Sequence, residues 1–547
     1  MFRGSQYIRS TPQTEQAHIL QAPNNGGGLS FTVTHWEQLR RFLILGSAGG
    51  TYYVGEGKLT RDNAKCIDAC LAEDAARTVR EIVEVSEQGR APKQDPAIFA
   101  LALCAASKNA TAAAAALAAL PRVCRTGTHL FQFVAEVKNL RGFGPALRRA
   151  IGHWYSGKTV DQLGYQMLKY QQRDGWSHRD VLRLVHAEFA DPAQAALIRY
   201  IVAGEQELGA RTVRRGKADA AVSQTYDPVN FIMLPRIVEG SRAIKAATTA
   251  QQAARIIFDY ALPHELVPTD HLNSPEVWNA LLQAMPPEAM IRNLGKMTAI
   301  GLVKPLSEAA SKVIAALSDM ERLKKARLHP LKILVALRTY QQGHGDKGSL
   351  TWTPVTKVAA ALDAAFYLAF GAIEPTRKNH LLCLDVSGSM DGATIAGLAN
   401  MSAREASSAL ALLTMRTEPN SHAMAFSSGF IPFPMHERMS LTDVLTASRR
   451  MPFSSTDCAL PMLWATQNRI PVDAFVVYTD SETNSGMVHP HVALENYRQK
   501  LGRAAKLVVC GMTATNVSIA NPQDAGMLDV VGFDTSAPAV MADFIGQ

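Results

Sequence analysis

Asp385-Val386-Ser387-Gly388-Ser389 sets one carboxylate and two hydroxyls within five residues, at the end of the apolar run HLLCLDV. Such a run reads as a buried strand, so the acid and both serines project from one turn at the strand's carboxyl end. Oxygen donors in that arrangement suit a hard divalent cation. Mg²⁺ in particular needs only one or two carboxylates and retains several waters. Two further segments reach the same edge. Thr456 follows Ser454-Ser455 where a helix is expected to start, and Asp480 ends a second apolar run, AFVVYTD. A chance D-x-S-x-S would leave its serines as helix caps, and the two additional oxygen donors argue against that.

A different chemistry is written into His153 to His186, HWYSGKTVDQLGYQMLKYQQRDGWSHRDVLRLVH. Lys169 and Arg173 stand four apart, which predicts a shared helix face, with Gly175 ending that helix. Ser177 and Asp180 fit a capping box opening the next one. On that second helix Arg179, Arg183 and His186 fall on one stripe, while Val181, Leu182 and Val185 face inward. The two stripes are expected to join as a basic surface that contacts phosphates and bases, His186 included. Trp154, Tyr155, Tyr165, Tyr170 and Trp176 are interleaved with it. Aromatic faces stack on unpaired bases for about 1–3 kcal/mol each, although most of these rings are expected in the core.

The charge distribution favours the same half of the chain. Of 56 basic and 48 acidic residues, 44 and 32 precede Gly371, whereas 12 and 16 follow. Residues 101–150 hold Lys108, Arg122, Arg125, Lys138, Arg141, Arg148 and Arg149 against the single acid Glu136. A local excess of that kind points to a polyanion partner; the alternative is a solvated helix face neutralised from elsewhere in the fold.

The elements that must position these residues follow two rhythms. Up to about residue 370 the pattern is helical. Thr128 is expected to cap a helix through HLFQFVAEVKNL, Gly142 and Gly144 break it, and Pro145 opens ALRRAIGHWY. Ser274-Pro275-Glu276 opens VWNALLQAM in the same way, and the alanine-rich Ala110–Leu120 reads as a buried helix. Short-linked helix pairs point to a diverged helical solenoid, with a globular all-helical domain as the alternative. GHGDKGSLTWTP, residues 343–354, is expected to be a loop at the closing edge of that part. From about residue 379, strands and helices alternate: HLLCLDV, an amphipathic helix over 394–415, AMAF, a helix starting near Thr456, AFVVYTD and KLVVCGM. That alternation predicts a parallel α/β sheet with ligands at the carboxyl ends of its strands.

With 547 residues and 47% hydrophobic content, more than one core is expected and global disorder is excluded. The seven cysteines, 66, 70, 104, 124, 383, 458 and 510, are scattered without a C-x-x-C pair, which argues against disulfide or zinc frameworks. Cys383, Cys458 and Cys510 are expected as buried thiols. No signal peptide and no membrane-length apolar run occurs, so a soluble, cytoplasmic protein without membrane association is expected.

The metal-type residues resemble the metal-ion-dependent adhesion site of von Willebrand factor A domains. That resemblance implies Asp385, Ser387, Ser389 and Thr456 as ligands, Asp480 acting through water, and an open position for a partner's carboxylate. Ser454-Ser455 departs from the Gly-Gly of closer relatives, and a stiffer loop there would shift Thr456. Segments in order along the chain extend the likeness: RRFLILGSAGGTYYVGEGKL, VCRTGTHLFQFVAEVKNLRGFGPALRRAIGHWY, KYQQRDGWSHRDVLRLVH, HELVPTDHLNSPEVWNALLQAMPPEAMIRNLGKMTAIGL, LDVSGSM, TDCALPM and TDSET. Together they resemble the Ro ribonucleoprotein, or TROVE-domain, family over about residues 39–483. The resemblance implies a multidomain protein: an N-terminal extension (1–30), an all-α ring of HEAT-like repeats (31–370) and an α/β von Willebrand A domain (371–547).

It further implies Y RNA on the outer surface at Lys169, Arg173 and His186, and single-stranded 3′ ends of misfolded non-coding RNA in a central hole. A Y RNA tether to polynucleotide phosphorylase, a monomeric chain and a Mg²⁺-held acidic protein ligand complete what the family implies. Arg179, Arg183, Arg122, Arg125, Lys138, Arg148 and Arg149 join the RNA surface on charge alone. Enzyme classes find no support: neither G-x-x-x-x-G-K-[ST] nor H-E-x-x-H occurs, and no carboxylate cluster for two metals is evident. The alternative function is a protein-adhesion module with the helices as scaffold.

Overall fold

The change of rhythm near residue 379 is a change of architecture. The computed structural model describes residues 10–547 apart from 48–53, 204–210, 216–221, 227–232, 346–347, 372, 394, 396–400 and 453, with backbone alone for 211–215 and 222–226. Helices run from His35–Leu45 to Thr356–Leu368, and a six-stranded sheet with flanking helices follows.

Helices begin where side chains can satisfy the orphan N–H groups of the first turn. Thr34 and Glu37 form a capping box before His35–Leu45, Asn109 caps Ala110–Val123, and Ser274 caps Pro275–Ala284. The cap expected at Thr128 is instead Thr126, whose hydroxyl accepts from His129 N and opens Gly127–Leu140. Gly142 then takes φ +74, and Pro145 opens Pro145–Ser156 as its type predicts. The long helix Glu56–Gln88 breaks at Asp74, whose φ of −149 and ψ of 96 leave the helical region. Asp74 Oδ1 accepts from Arg77 N at 2.8 Å and so caps the second half. Ala110–Val123 is buried on one face only: Ala112, Ala116, Ala119 and Leu120 are covered, while Ala114 and Ala118 face solvent. Uniform composition had hidden that amphipathicity.

The helical array returns on itself. Arg327 Nε donates to Glu87 O, and His329 Nε2 reaches Arg90 O at 3.2 Å and Phe533 O at 2.9 Å. Arg90 in turn grips Asp534, with Nε 2.9 Å from Oδ1. Of segment 343–354, in which 346–347 lie outside the described residues, Trp352 joins the same array, its Nε1 donating to Tyr340 O at 2.8 Å.

In the C-terminal part the sheet order is Met527–Val531, Lys506–Gly511, Ala474–Thr479, His380–Asp385, Ser421–Phe426, Phe430–Pro432. All neighbours are parallel except the last pair. The central strands His380–Asp385 and Ala474–Thr479 are buried along their whole length. Two helix starts differ from expectation. The helix expected over 394–415 begins at Ala403, behind a Ser402–Glu405 capping box, and runs to Thr417, although 394 and 396–400 lie outside the described residues. The helix expected near Thr456 is Leu460–Gln467, which leaves Thr456 in the preceding loop.

The segment ahead of the helices also joins this end of the molecule. Leu29–Thr32 pairs with both Gln21–Pro23 and Val517–Ser518. Arg41, 1% exposed, places Nη2 2.7 Å from both carboxylate oxygens of Asp529. Its Nη1 donates to Thr515 O and Val517 O. All seven cysteines are buried free thiols. Among the described residues no helix is long and apolar enough to cross a membrane.

Burial holds the His329 imidazole down to about 4, against an ordinary value near 6.5. The unfolded chain therefore takes up this proton first. The stability that neutral His329 contributes is complete above pH 6.5 and is lost as pH falls toward 4. His329→Gln should flatten the acid limb of stability against pH by one proton, about 1.4 kcal/mol per pH unit. Denaturant midpoints between pH 4 and 6.5 measure it; an unaltered slope assigns that uptake to other groups.

Candidate metal centre and nucleic-acid interface

Asp385, Ser387, Ser389, Thr456 and Asp480 come together at the carboxyl edge of the sheet, and none is more than 3% exposed. Strands His380–Asp385 and Ala474–Thr479 are adjacent and in parallel register, Tyr478 opposite Leu384, so Thr479 stands level with Asp385 and Asp480 follows one residue further out. Ser387 N donates to Asp385 Oδ1 at 2.9 Å, and the Ser387 and Ser389 hydroxyls lie 3.0 Å apart. Gly388 N reaches Ser454 O at 3.4 Å, tying the first loop to the second. Ser454 and Ser455 turn outward while Thr456 stays buried. The backbone of Thr456 is pinned by Asn484, whose Oδ1 accepts from Thr456 N at 3.1 Å and whose N donates to Thr456 O at 3.0 Å.

The electrostatics suit a cation. Burial, reinforced by Asp480, pushes Asp385 up to about 7, and burial likewise raises Asp480. Arg404, which acts on Asp385, directs Nη2 to Val386 O at 2.9 Å and Nη1 to Met451 O at 3.3 Å. Two crowded carboxylates and three hydroxyls form an oxygen donor set that fits Mg²⁺; the ion would offset their mutual repulsion. Thr479 belongs to this support, since its hydroxyl donates to Asp385 Oδ2 at 2.6 Å. It stands one residue before Asp480, a place where a strand-end hydroxyl was legible but not singled out.

The basic segment is arranged differently from its expected stripes. The first helix, Val160–Lys169, ends at Lys169, and Arg173 lies on a two-stranded hairpin, paired with Trp176. Asp174 and Gly175, at φ +51 and +77, make its turn. Asp-Gly favours a tight hairpin because both central positions take positive φ, and here it overrides helical spacing. Lys169 and Arg173 therefore share no helix face. The Lys169 side chain is 10% exposed, and its ammonium lies 3.6 Å from Glu265 and 3.0 Å from Tyr165 Oη. Burial would lower its pKa, but the Tyr165 hydrogen bond and the neighbouring Tyr170, Tyr165 and Glu265 raise it on balance.

The second helix, His178–Val185, carries the expected Ser177–Asp180 capping box and buries Val181, Leu182 and Val185. Arg179, Arg183 and His186 are exposed; His186, at φ +51, is the residue that ends the helix. The Pro145–Ser156 helix packs on this one, with Gly152 at ordinary contact distance from Val185 and Ala187, and its Arg148 and Arg149 are likewise exposed. Lys138 lies 5.0 Å over the half-buried Trp176 ring, beside Phe143. Arg122 and Arg125 lie apart from it, at the closing seam. Arg122 pairs with Glu87 at 2.6 Å, and Arg125 donates to Ser86 Oγ at 2.7 Å. Trp154 and Tyr155 are fully buried, packed with His178, and are core residues.

The TROVE-domain model matches residues 22–338, and the Ro60 vWA-domain model matches residues 379–545. The chain belongs to the Ro60 family of TROVE-domain proteins. It is 42% identical to the RNA-binding protein RO60 of Deinococcus radiodurans, over 97% of each chain. With the RNA-binding protein RO60 of Caenorhabditis elegans it shares 35% identity, over 97% of this chain and 91% of that one. The crystal structure of the Deinococcus radiodurans RO (RSR) protein aligns with a TM-score of 0.66 at 39% identity, covering 94% and 99% of the two chains. A Ro60-family architecture, a TROVE helical part followed by a vWA domain, thus accounts for both rhythms of the sequence.

Thr479→Val keeps the shape of the strand end and removes the hydroxyl from Asp385. In this Ro60-family vWA domain that should cost about 1–3 kcal/mol of stability in the presence of chelator, the penalty of an unpaired buried acceptor. Urea unfolding measures it, and an unchanged midpoint removes Thr479 from the support of the site.

Proposed function

We propose that this chain is an RNA-binding protein of RNA quality control, acting by recognition rather than catalysis. Y RNA occupies the outer basic surface, and single-stranded 3′ ends of misfolded or defective non-coding RNA enter an opening in the closed helical array. The observation that carries the reading is the exposed set Arg148, Arg149, Arg179, Arg183 and His186, with which no carboxylate pairs among the described residues. Unneutralised arginines on two packed helices release counterions when they meet phosphates, and this term dominates sequence-tolerant affinity. The relatives' names, RNA-binding protein RO60, support the same class and a non-enzymatic role.

Lys169 and Arg173 contribute at the margin of this surface in different ways: Arg173 as an exposed hairpin cation, Lys169 as a pinned group bearing on Tyr165 and Tyr170. Arg122 and Arg125 would meet RNA only where the seam is approached. Lys138 and Trp176 together offer a cation beside a ring on which an unpaired base can stack. At the metal edge Asp385, Ser387, Ser389, Thr456 and Asp480 hold Mg²⁺, leaving a position for an acidic protein ligand. The second reading, a protein-adhesion module with the helices as scaffold, is favoured by that edge alone. A Y RNA tether to polynucleotide phosphorylase, a cytoplasmic setting and a monomeric state complete the proposal; closure within one chain needs no symmetry partner.

Binding of a duplex with a single-stranded 3′ tail should exceed that of a blunt duplex and fall steeply with salt. Arg179→Ala/Arg183→Ala/His186→Ala should weaken binding at least tenfold and reduce the slope of log K against log salt by about 2. Asp385→Ala should leave both unchanged. Fluorescence anisotropy at two salt concentrations decides. Equal affinity for tailed and blunt RNA in wild type and triple variant sinks the RNA reading, and collapse of RNA binding in folded Asp385→Ala transfers the function to the metal edge.

A further inference from the structure

The loops that carry Thr456 and Asp480 are strapped by the chain's own N-terminal segment. Gln13 Nε2 donates to Asp457 Oδ1 at 2.6 Å and to Val488 O at 2.7 Å, while its Oε1 accepts from the Thr483 hydroxyl. Asn25 Nδ2 and Gly26 N donate to the two carboxylate oxygens of Glu482, at 2.8 and 2.9 Å. Asn24 reaches Thr483 O at 2.7 Å, and Ser30 reaches Ser481 O at 2.9 Å. Asp457 and Glu482 each lie within two residues of an expected cation ligand, and the strap occupies both carboxylates.

We propose that residues 12–30 are a releasable latch on the metal-edge loops and that His489 is its proton-sensitive catch. His489 is 1% exposed and sits where the strap crosses the start of the helix Pro490–Leu501. Its Nε2 faces two carbonyls of the strap, Glu15 O at 2.8 Å and Pro12 O at 3.1 Å, and must carry the proton. Its Nδ1 faces Gln21 Nε2 at 3.0 Å. The Gln21 amide cannot turn over, because its Oε1 already accepts from Ala17 N at 2.9 Å and His18 N at 3.0 Å. Nδ1 therefore has to be the acceptor, and the ring has to be neutral. A second proton would set N–H against N–H and strand a cation in a buried site.

The surroundings offer that cation little relief. The His491 ring lies 5.7 Å away, packed on Phe31 at 5.1 Å and His18 at 6.1 Å. Burial, with His489 and His18 adding, holds His491 down to about 4, so the strapped form does not share the proton there. Asp524, the acid that acts on His491, is engaged by Arg498 at 2.6 Å. From the strap side Glu15 offers its carbonyl to the ring. Protonation of the His489 ring removes the acceptor that Gln21 Nε2 needs, opens the latch and frees Asp457 and Glu482 at the metal edge.

Hydrogen–deuterium exchange of peptides within 10–32, in the full chain at pH 7.5 and 5.5 and corrected for intrinsic exchange rates, tests this. Wild type should lose severalfold protection at pH 5.5, up to about tenfold for one linked proton, and His489→Gln should stay protected at both. Gln21→Glu should reverse the sign, since its second carboxylate oxygen accepts from a protonated Nδ1. Gly28→Ala supplies the open reference: a Cβ there would lie 2.0 Å from Thr483 O. Equal wild-type protection at both pH values beside an open Gly28→Ala, or a pH response that survives His489→Gln, overturns the proposal. Should His489→Gln fail to fold, the sign of the Gln21→Glu response decides. The readout needs neither cation nor RNA, so its failure leaves the functional proposal standing.

Discussion

Three stretches far apart in the chain meet at one buried polar junction, and the rest of the architecture depends on it. His329, at the far end of the helical array, reaches the carbonyls of Arg90 near its beginning and of Phe533 in the C-terminal part. Arg90 completes the junction by gripping Asp534. A buried ion pair contributes little net energy over an apolar replacement, but it penalises every arrangement that leaves one partner alone. Its value here is selection: it accepts only the arrangement in which array and sheet are docked together. Arg41 and Asp529 impose the same condition at a second point.

Docking has a consequence for the metal edge. Parallel strands deliver Asp385 and Asp480 to the same sheet edge, one residue out of level, and burial then makes two neighbouring carboxylates costly. A divalent cation would offset that cost, while hydroxyls from Ser387, Ser389 and Thr456 complete an oxygen set without adding charge. Around this edge the N-terminal strap binds the neighbouring acids Asp457 and Glu482, so the first residues of the chain bear on a site formed by its last third.

The basic surface follows another logic. Its arginines stand on two helices in contact around Gly152, Val185 and Ala187, and they are exposed. The rings that the sequence interleaves with them divide by burial. Trp154 and Tyr155 form the hub around His178, whereas Trp176 stays at the surface beside Lys138.

Local chemistry was legible in the amino-acid sequence alone. Capping boxes, the strands HLLCLDV, AFVVYTD and KLVVCGM, and the five oxygen donors of the sheet edge all follow from residue type and period, because each obeys forces acting within a few residues or at the end of one strand. Where two local signals competed, spacing misled: Asp174-Gly175 folds a hairpin through a stretch whose charges stand at helical intervals, and Thr126 rather than Thr128 caps its helix. What only the tertiary structure decided are contacts between residues hundreds of positions apart. Lys169 is pinned by Glu265, Arg122 and Arg125 are drawn into the closing seam, and Gln13 and Gln21 reach loops more than 440 residues away. Charge and polarity announce that such groups need partners, but the partner is selected by how the helical array closes, and no local pattern encodes that closure.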